Sequence, residues 1–278
     1  MADISDLLRD PLPSLRELLA FYVEAGVDCA LMDEPVNRLS DETPEPAAGP
    51  ATAARTYPPL LRASEMQKPA PRADAAPAPD IAIANAREMA ATAPDLDALR
   101  ALMEGFEGCA LKSTATRLVF ADGNPQAKIM LVGEAPGRDE DIEGLPFVGR
   151  SGKLLNLMLA AIGLDRTKVY IANVIPWRPP GNRTPTAQET QTCLPFIKRQ
   201  IELVNPDILV TLGNPSTQTL FATSEGIMKT RGRWRDYDTG TRSIRALATF
   251  HPAYLLRQPS YKRMAWLDLR SIATAIKN

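Results

Sequence analysis

The chain has 278 residues, 45% of them hydrophobic and 23% charged, enough to bury a sizeable core in more than one small domain. No apolar run approaches a membrane span, and the first six residues, Met1-Ala-Asp-Ile-Ser-Asp, are not a cationic leader, so the expectation is a protein of the cytoplasm with no membrane partner. The net charge of −1 hides an asymmetry: residues 147–278 carry 19 Lys+Arg against 8 Asp+Glu, a net of +11, and residues 1–146 carry a net of −12. Such a split is a hint of nucleic-acid binding, weighed evenly against a solvated basic face.

In chain order, residues 11–25 have helical spacing, with Leu15, Leu18, Leu19 and Tyr22 on one face. The stretch 41–80 is rich in Pro and Ala, a composition that reads as a disordered linker. This divides the chain into a helical segment (1–40), a linker (41–80) and a main domain (81–278). A helix is expected at 96–107. Four short apolar runs follow, at 129–132, 169–174, 208–212 and 246–250, separated by helical stretches near 153–162, 187–203, 216–222 and 261–276. Fully apolar strands alternating with helices predict a three-layer α/β/α fold around a four-stranded, mainly parallel sheet. Each run ends in an unusual polar loop: GEAPG, NVIPWRPPGNR, GNPS and HPAYLL. Ligands of open α/β sheets bind outside the carboxyl ends of the strands, so the four loops should converge on one site.

Gly133-Glu134-Ala135-Pro136-Gly137 lacks both the Lys-Ser/Thr of a P-loop and the GxGxxG spacing, so a tight turn and an anion site are equally good readings of it. His251 is the sole histidine, which excludes a multi-histidine metal site; its place after an apolar strand and before Pro252 puts it at the mouth of the expected site. Leu255 and Leu256 beside Arg257 suit insertion into a base stack, or else tuck into the core.

Taken together, GEAPGRDED, GLPFVGRSGKLL, YIANV, RPPGNR, TLGNPS and HPAYLLR, in this order and spacing, resemble the family 4 uracil-DNA glycosylases, over about residue 106 to the C-terminus. The resemblance implies a monofunctional, base-flipping enzyme that hydrolyses the N-glycosidic bond of uracil in DNA and leaves an abasic site. Phe147 would stack on the flipped uracil. The Asn173 carboxamide would both donate and accept along the N3–H/O4 edge, a pattern that cytosine reverses. His251 would donate to O2 of the leaving base, helped by the backbone around Glu134 and Ala135. Glu134 and Glu140 are candidates to stabilise the cationic sugar and orient water, with Asn182 as a further water-positioning candidate. Ala135 stands where family 1 relatives carry an aspartate. Asp139, Asp141 and Glu143 read as solvated capping or surface acids. Leu255, with Tyr254 as the alternative, would be the wedge; Ser151, Ser216 and Arg257 would touch phosphates.

Most family 4 enzymes hold an iron–sulfur cluster on four cysteines. Here the corresponding positions are Phe106, Cys109, Trp177 and Cys193, so the expectation is no cluster and no cofactor, with two reduced, neighbouring thiols. The histidine-bearing insertion of covalently trapping relatives is absent after PPGNR. The expected partner is uracil-containing DNA and the expected state a monomer. The rival reading is a non-catalytic protein that binds uracil or abasic sites in DNA; hydrolysis of a free nucleoside fits the basic half less well.

Overall fold

The computed structural model describes residues 79–277; the expected helix at 11–25, almost all of the linker and Cys29 lie outside them. The chain runs α1 (Pro79–Thr92), α2 (Leu96–Gly105), α3 (Ala110–Thr114), β1 (Asp122–Gly123), β2 (Ile129–Gly133), α4 (Arg138–Glu143), α5 (Arg150–Ala160), β3 (Tyr170–Asn173), α6 (Ala187–Val204), β4 (Ile208–Leu212), α7 (Asn214–Phe221), α8 (Ile227–Thr230), β5 (Trp234–Asp238), β6 (Ser243–Thr249), α9 (Pro252–Arg257) and α10 (Lys262–Lys277).

The sheet order is β1-β3-β2-β4-β6-β5. The four inner strands are the four apolar runs, all parallel, and β1 and β5 add antiparallel edges that the sequence reading did not anticipate. β1 is two residues long, and β5 reads WRDYD with only Tyr237 buried, so neither carries an apolar signature. A polar edge strand is what keeps a sheet from pairing further.

Strand periodicity divides the core in two. Met130, Val132, Tyr170, Ala172, Leu209 and Ala246 face one layer with Leu99, Cys193, Phe196 and Ile201 of the helices. Ile129, Leu131, Ile171, Val210 and Leu247 face the other, with Leu155, Leu159, Leu255, Ala265 and Leu269. This alternation along strands buried on both sides makes the three layers.

The helix ends are specified locally. Asp95 caps α2 by accepting from Ala98 N–H at 2.8 Å. Thr186 and Glu189 form a reciprocal capping box on α6, at 3.2 and 2.7 Å. Among the described residues no helix is long and apolar enough to cross a membrane.

Candidate active site

A cavity of about 370 Å³ opens at the carboxyl ends of β2, β3 and β6. Its lining includes Glu134, Ala135, Glu140, Phe147, Ser151, Asn173, Asn182, His251 and Arg257, so nine of the twelve candidate residues meet there. The loop after β4 supports the site from behind: Gly213, at φ +91°, would place a Cβ 2.8 Å from His251 Cβ.

Asn173 ends β3 in register with Gly133 of β2. It is only 6% exposed, yet its Oδ1 accepts no hydrogen bond from the protein. An unpaired buried acceptor costs about 1–3 kcal/mol, so a site that keeps one is shaped for a donor brought by a ligand. Gly133 makes room for it: a Cβ there would lie 2.4 Å from Asn173 Oδ1 and 2.6 Å from Phe147 Cζ.

Phe147 forms the adjoining wall. It is 4% exposed, its ring centroid lies 5.4 Å from that of His251, and its φ is +55°. A non-glycine residue in the left-handed region costs roughly 1–2 kcal/mol, held here by the surrounding structure.

His251 caps α9, its Nδ1 accepting from Ala253 N–H at 3.1 Å. The ring proton is therefore on Nε2. Burial, reinforced by the positive charge of Arg257, lowers its pKa to about 4, so the imidazole is a neutral donor near pH 7.

The acidic loop divides into two kinds of carboxylate. Glu134 lines the cavity, and burial raises its pKa. Glu140 also borders the cavity, but its oxygens accept from the backbone N–H groups of Gly137, Val148 and Gly149, each at 3.0 Å. A carboxylate so engaged ties two loops together. Asp141 is likewise not a solvated surface group: it is 3% exposed and accepts from Thr116 N–H at 2.8 Å and Thr116 Oγ1 at 2.9 Å. Asp139 and Glu143 are exposed, as expected.

Three residues fall outside the cavity. Ser216 is fully buried and donates to Leu212 O at 3.0 Å, beyond reach of a phosphate. Leu255 is 1% exposed, packed in the layer with α5 and α10; the wedge expectation is corrected, because the exposed leucine of α9 is Leu256, at 37%. Tyr254 is half-buried against Phe250 and Tyr261, at ring separations of 5.5 and 5.4 Å.

Asn182 stands on the rim with its Oδ1 accepting from Arg178 Nε at 2.8 Å. Arg183, which the sequence reading passed over inside RPPGNR, also lines the cavity and forms a two-pronged pair with Glu189 at 2.9 and 2.6 Å. That pairing, with the cap on Thr186, lowers the Glu189 pKa to about 2. The capping-box spacing Thr186-x-x-Glu189 was the available signal for where this rim is anchored.

Away from the cavity, Phe106, Cys109, Trp177 and Cys193 join one buried cluster. Cys193 Sγ lies 3.7 Å from Cys109 Sγ. The Phe106 ring stacks near Trp177 (6.4 Å, 20°) and meets Phe196 edge-on (5.0 Å, 72°). An iron–sulfur cluster does not fit this set, since two of the four side chains are rings with no atom that binds iron.

Residues 120–270 match the sequence model of the Uracil DNA glycosylase superfamily. The chain is similar to the type-4 uracil-DNA glycosylase of Archaeoglobus fulgidus, 40% identical over 59% of this chain and 84% of the relative. To that of Thermotoga maritima it is 42% identical, over 61% of this chain and 88% of the relative. To that of Saccharolobus solfataricus it is 38% identical, over 66% and 88%. With more than half its length matched and the loops after β2, β3 and β6 gathered around one cavity, the chain belongs to the uracil-DNA glycosylase superfamily.

Proposed function

We propose that the chain is a uracil-DNA glycosylase that hydrolyses the N-glycosidic bond of a flipped uracil in DNA. The observation that carries this reading is the unpaired Asn173 Oδ1, buried beside an aromatic wall. A carboxamide there accepts from uracil N3–H and donates to O4, whereas cytosine presents an acceptor at N3 and an amine at C4. Phe147 stacks on the base, and burial in so narrow a site rejects a base whose groups are left unpaired.

As the glycosidic bond lengthens, negative charge collects on the base and positive charge on the sugar. His251 Nε2–H donates to O2, and the backbone N–H groups around Glu134 and Ala135 reinforce it. A neutral donor is the apt form: it stabilises the developing anion without first holding a fixed charge in a buried site. Glu134 faces the cationic sugar and orients the attacking water, with Asn182 on the rim as its helper. Water adds to C1′, its proton leaves through Glu134, and the base departs as an anion held by His251. Ser151 and Arg257 contact phosphates, and Leu256 replaces Leu255 as the residue that fills the vacated stack.

The partner is uracil-containing DNA, drawn by the basic half of the chain; the protein acts as a monomer in the cytoplasm, without a cluster or diffusible cofactor. Asn173→Ala tests the reading. It should abolish uracil release while DNA binding stays within about 2-fold, since phosphate contacts dominate affinity. Uracil release at the wild-type rate by Asn173→Ala would refute it, and wild type that binds DNA without cleaving would favour the non-catalytic alternative.

A further inference from the structure

Phe147 presents its ring to the cavity from a strained backbone, and something must hold it there. Three features do so. Glu140 accepts from Val148 and Gly149 N–H on one side. Gly152 of α5 packs its backbone onto the Phe147 carbonyl so closely that a Cβ would fall 1.6 Å from that oxygen. The third feature comes from the far side. Arg166, in the turn before β3, donates Nη1 to Pro146 O at 3.1 Å and Nη2 to Phe147 O. The guanidinium is itself aimed by Asp122 of β1, which pairs with Nη1, and by Asn156 Oδ1, which accepts from Nε at 2.9 Å. Arg166 does not line the cavity.

We propose that Arg166 is a positioning residue for uracil excision: it clamps the carbonyls of Pro146 and Phe147 and so fixes the stacking ring in its left-handed conformation. The inference rests on the reading of Phe147 as the wall that stacks on uracil. The geometry suits arginine specifically. Two adjacent carbonyl oxygens and a carboxylate are met at once by one planar fork, which lysine, a single ammonium, cannot reproduce. The edge strand β1 thereby gains a purpose: behind the active-site loop it carries Asp122 to Arg166, more than forty residues away along the chain. A flipped base meets a wall already in place, so binding does not have to order it.

The test is a double-mutant cycle on single-turnover uracil excision from a dU duplex, with the half-saturating enzyme concentration and thermal midpoint measured beside the rate. Arg166→Ala should lower the rate about 10- to 100-fold with half-saturation within about 2-fold of wild type, because the ring is displaced while phosphate contacts remain. Arg166→Lys should recover only part of that loss. In Phe147→Ala, adding Arg166→Ala should cost no more than about 2-fold further, since the clamp then has no ring to place. A wild-type rate in Arg166→Ala, or losses that multiply in the double variant, would overturn the proposal. Phe147→Ala with a wild-type rate would instead overturn the stacking role, and the proposal with it. Should Arg166→Ala fail to fold, Asp122→Asn loosens the guanidinium without emptying its place. Its rate should fall about 3- to 10-fold, and again not in the Phe147→Ala background; no fall would overturn the proposal.

Discussion

Gly133→Ala probes the geometry of the cavity with a single methyl group. Its Cβ would sit 2.4 Å from Asn173 Oδ1 and 2.6 Å from Phe147 Cζ, both well inside the 3.0 Å that real Cβ contacts respect. Neither neighbour is a free surface rotor: both side chains are buried, and Phe147 is pinned on several sides. The methyl group must therefore push the carboxamide, the ring or β2 itself by about half an ångström or more. Overpacking of this kind costs about 1–3 kcal/mol. For a domain of this size that lowers the thermal midpoint by roughly 2–4 °C per kcal/mol. The effect on catalysis should be larger in proportion, because a displacement of about 1 Å can cost on the order of 100-fold in rate. Single-turnover uracil release and inhibition by free uracil measure it, with Gly163→Ala as control. Gly163, unlike Gly133, has a positive φ (+77°), and nothing lies within 4 Å of its Cβ position, so Gly163→Ala should lose some stability and no activity. A Gly133→Ala protein that released uracil at the wild-type rate, with unaltered uracil inhibition, would refute the arrangement of Asn173 and Phe147 around one base.

The pH–rate profile should show no inflection near 6.5, because His251 titrates near 4 and is neutral above it; an acid limb above the ordinary carboxylate value of 4.5 should appear and vanish in Glu134→Gln. For stability the sign is the same. The unfolded chain takes up the His251 proton below 6.5 and the folded chain does so only near 4, so thermal midpoints should fall as pH drops through that window, and less so in His251→Ala. Asp268, buried at 2% exposure and held by Arg231 and by Thr249 Oγ1 at 2.7 Å, braces β6 from α10; Asp268→Ala should cost about 3–5 kcal/mol in denaturant unfolding by stranding Arg231, without altering uracil recognition. Freshly purified protein should lack stoichiometric iron and an absorption band near about 400 nm, and Trp177→Ala should destabilise by about 3–5 kcal/mol as a core ring is lost.

The inner sheet was legible because each of its strands contains an apolar run that ends in an abrupt polar loop, which also put Asn173 and His251 at the strand ends where the cavity opens. Leu255 was misplaced by treating HPAYLLR as a loop. As a helix, α9 sets Pro252 and Leu255 three apart on one inward face and turns Leu256 out, a pattern present in the sequence but too short to weigh. Glu140 and Asp141 were harder. What they bind is backbone brought in from residues 148–149 and 116–117, and no residue pattern announces a carboxylate that will be consumed by amides. Arg166 was unreadable for the same reason, because its partners are carbonyls and a two-residue edge strand. Of the five acids between Glu134 and Glu143, two build the loop, two are exposed, and Glu134 is left facing the cavity.

The most direct measurement is uracil release by the wild-type protein from end-labelled oligonucleotides carrying a single dU, dC or dT, with alkali to cut at abasic sites. Cleavage at dU alone, lost in His251→Ala and Asn173→Ala, is the predicted result. Folded wild-type protein that binds these oligonucleotides and leaves dU intact would contradict the account.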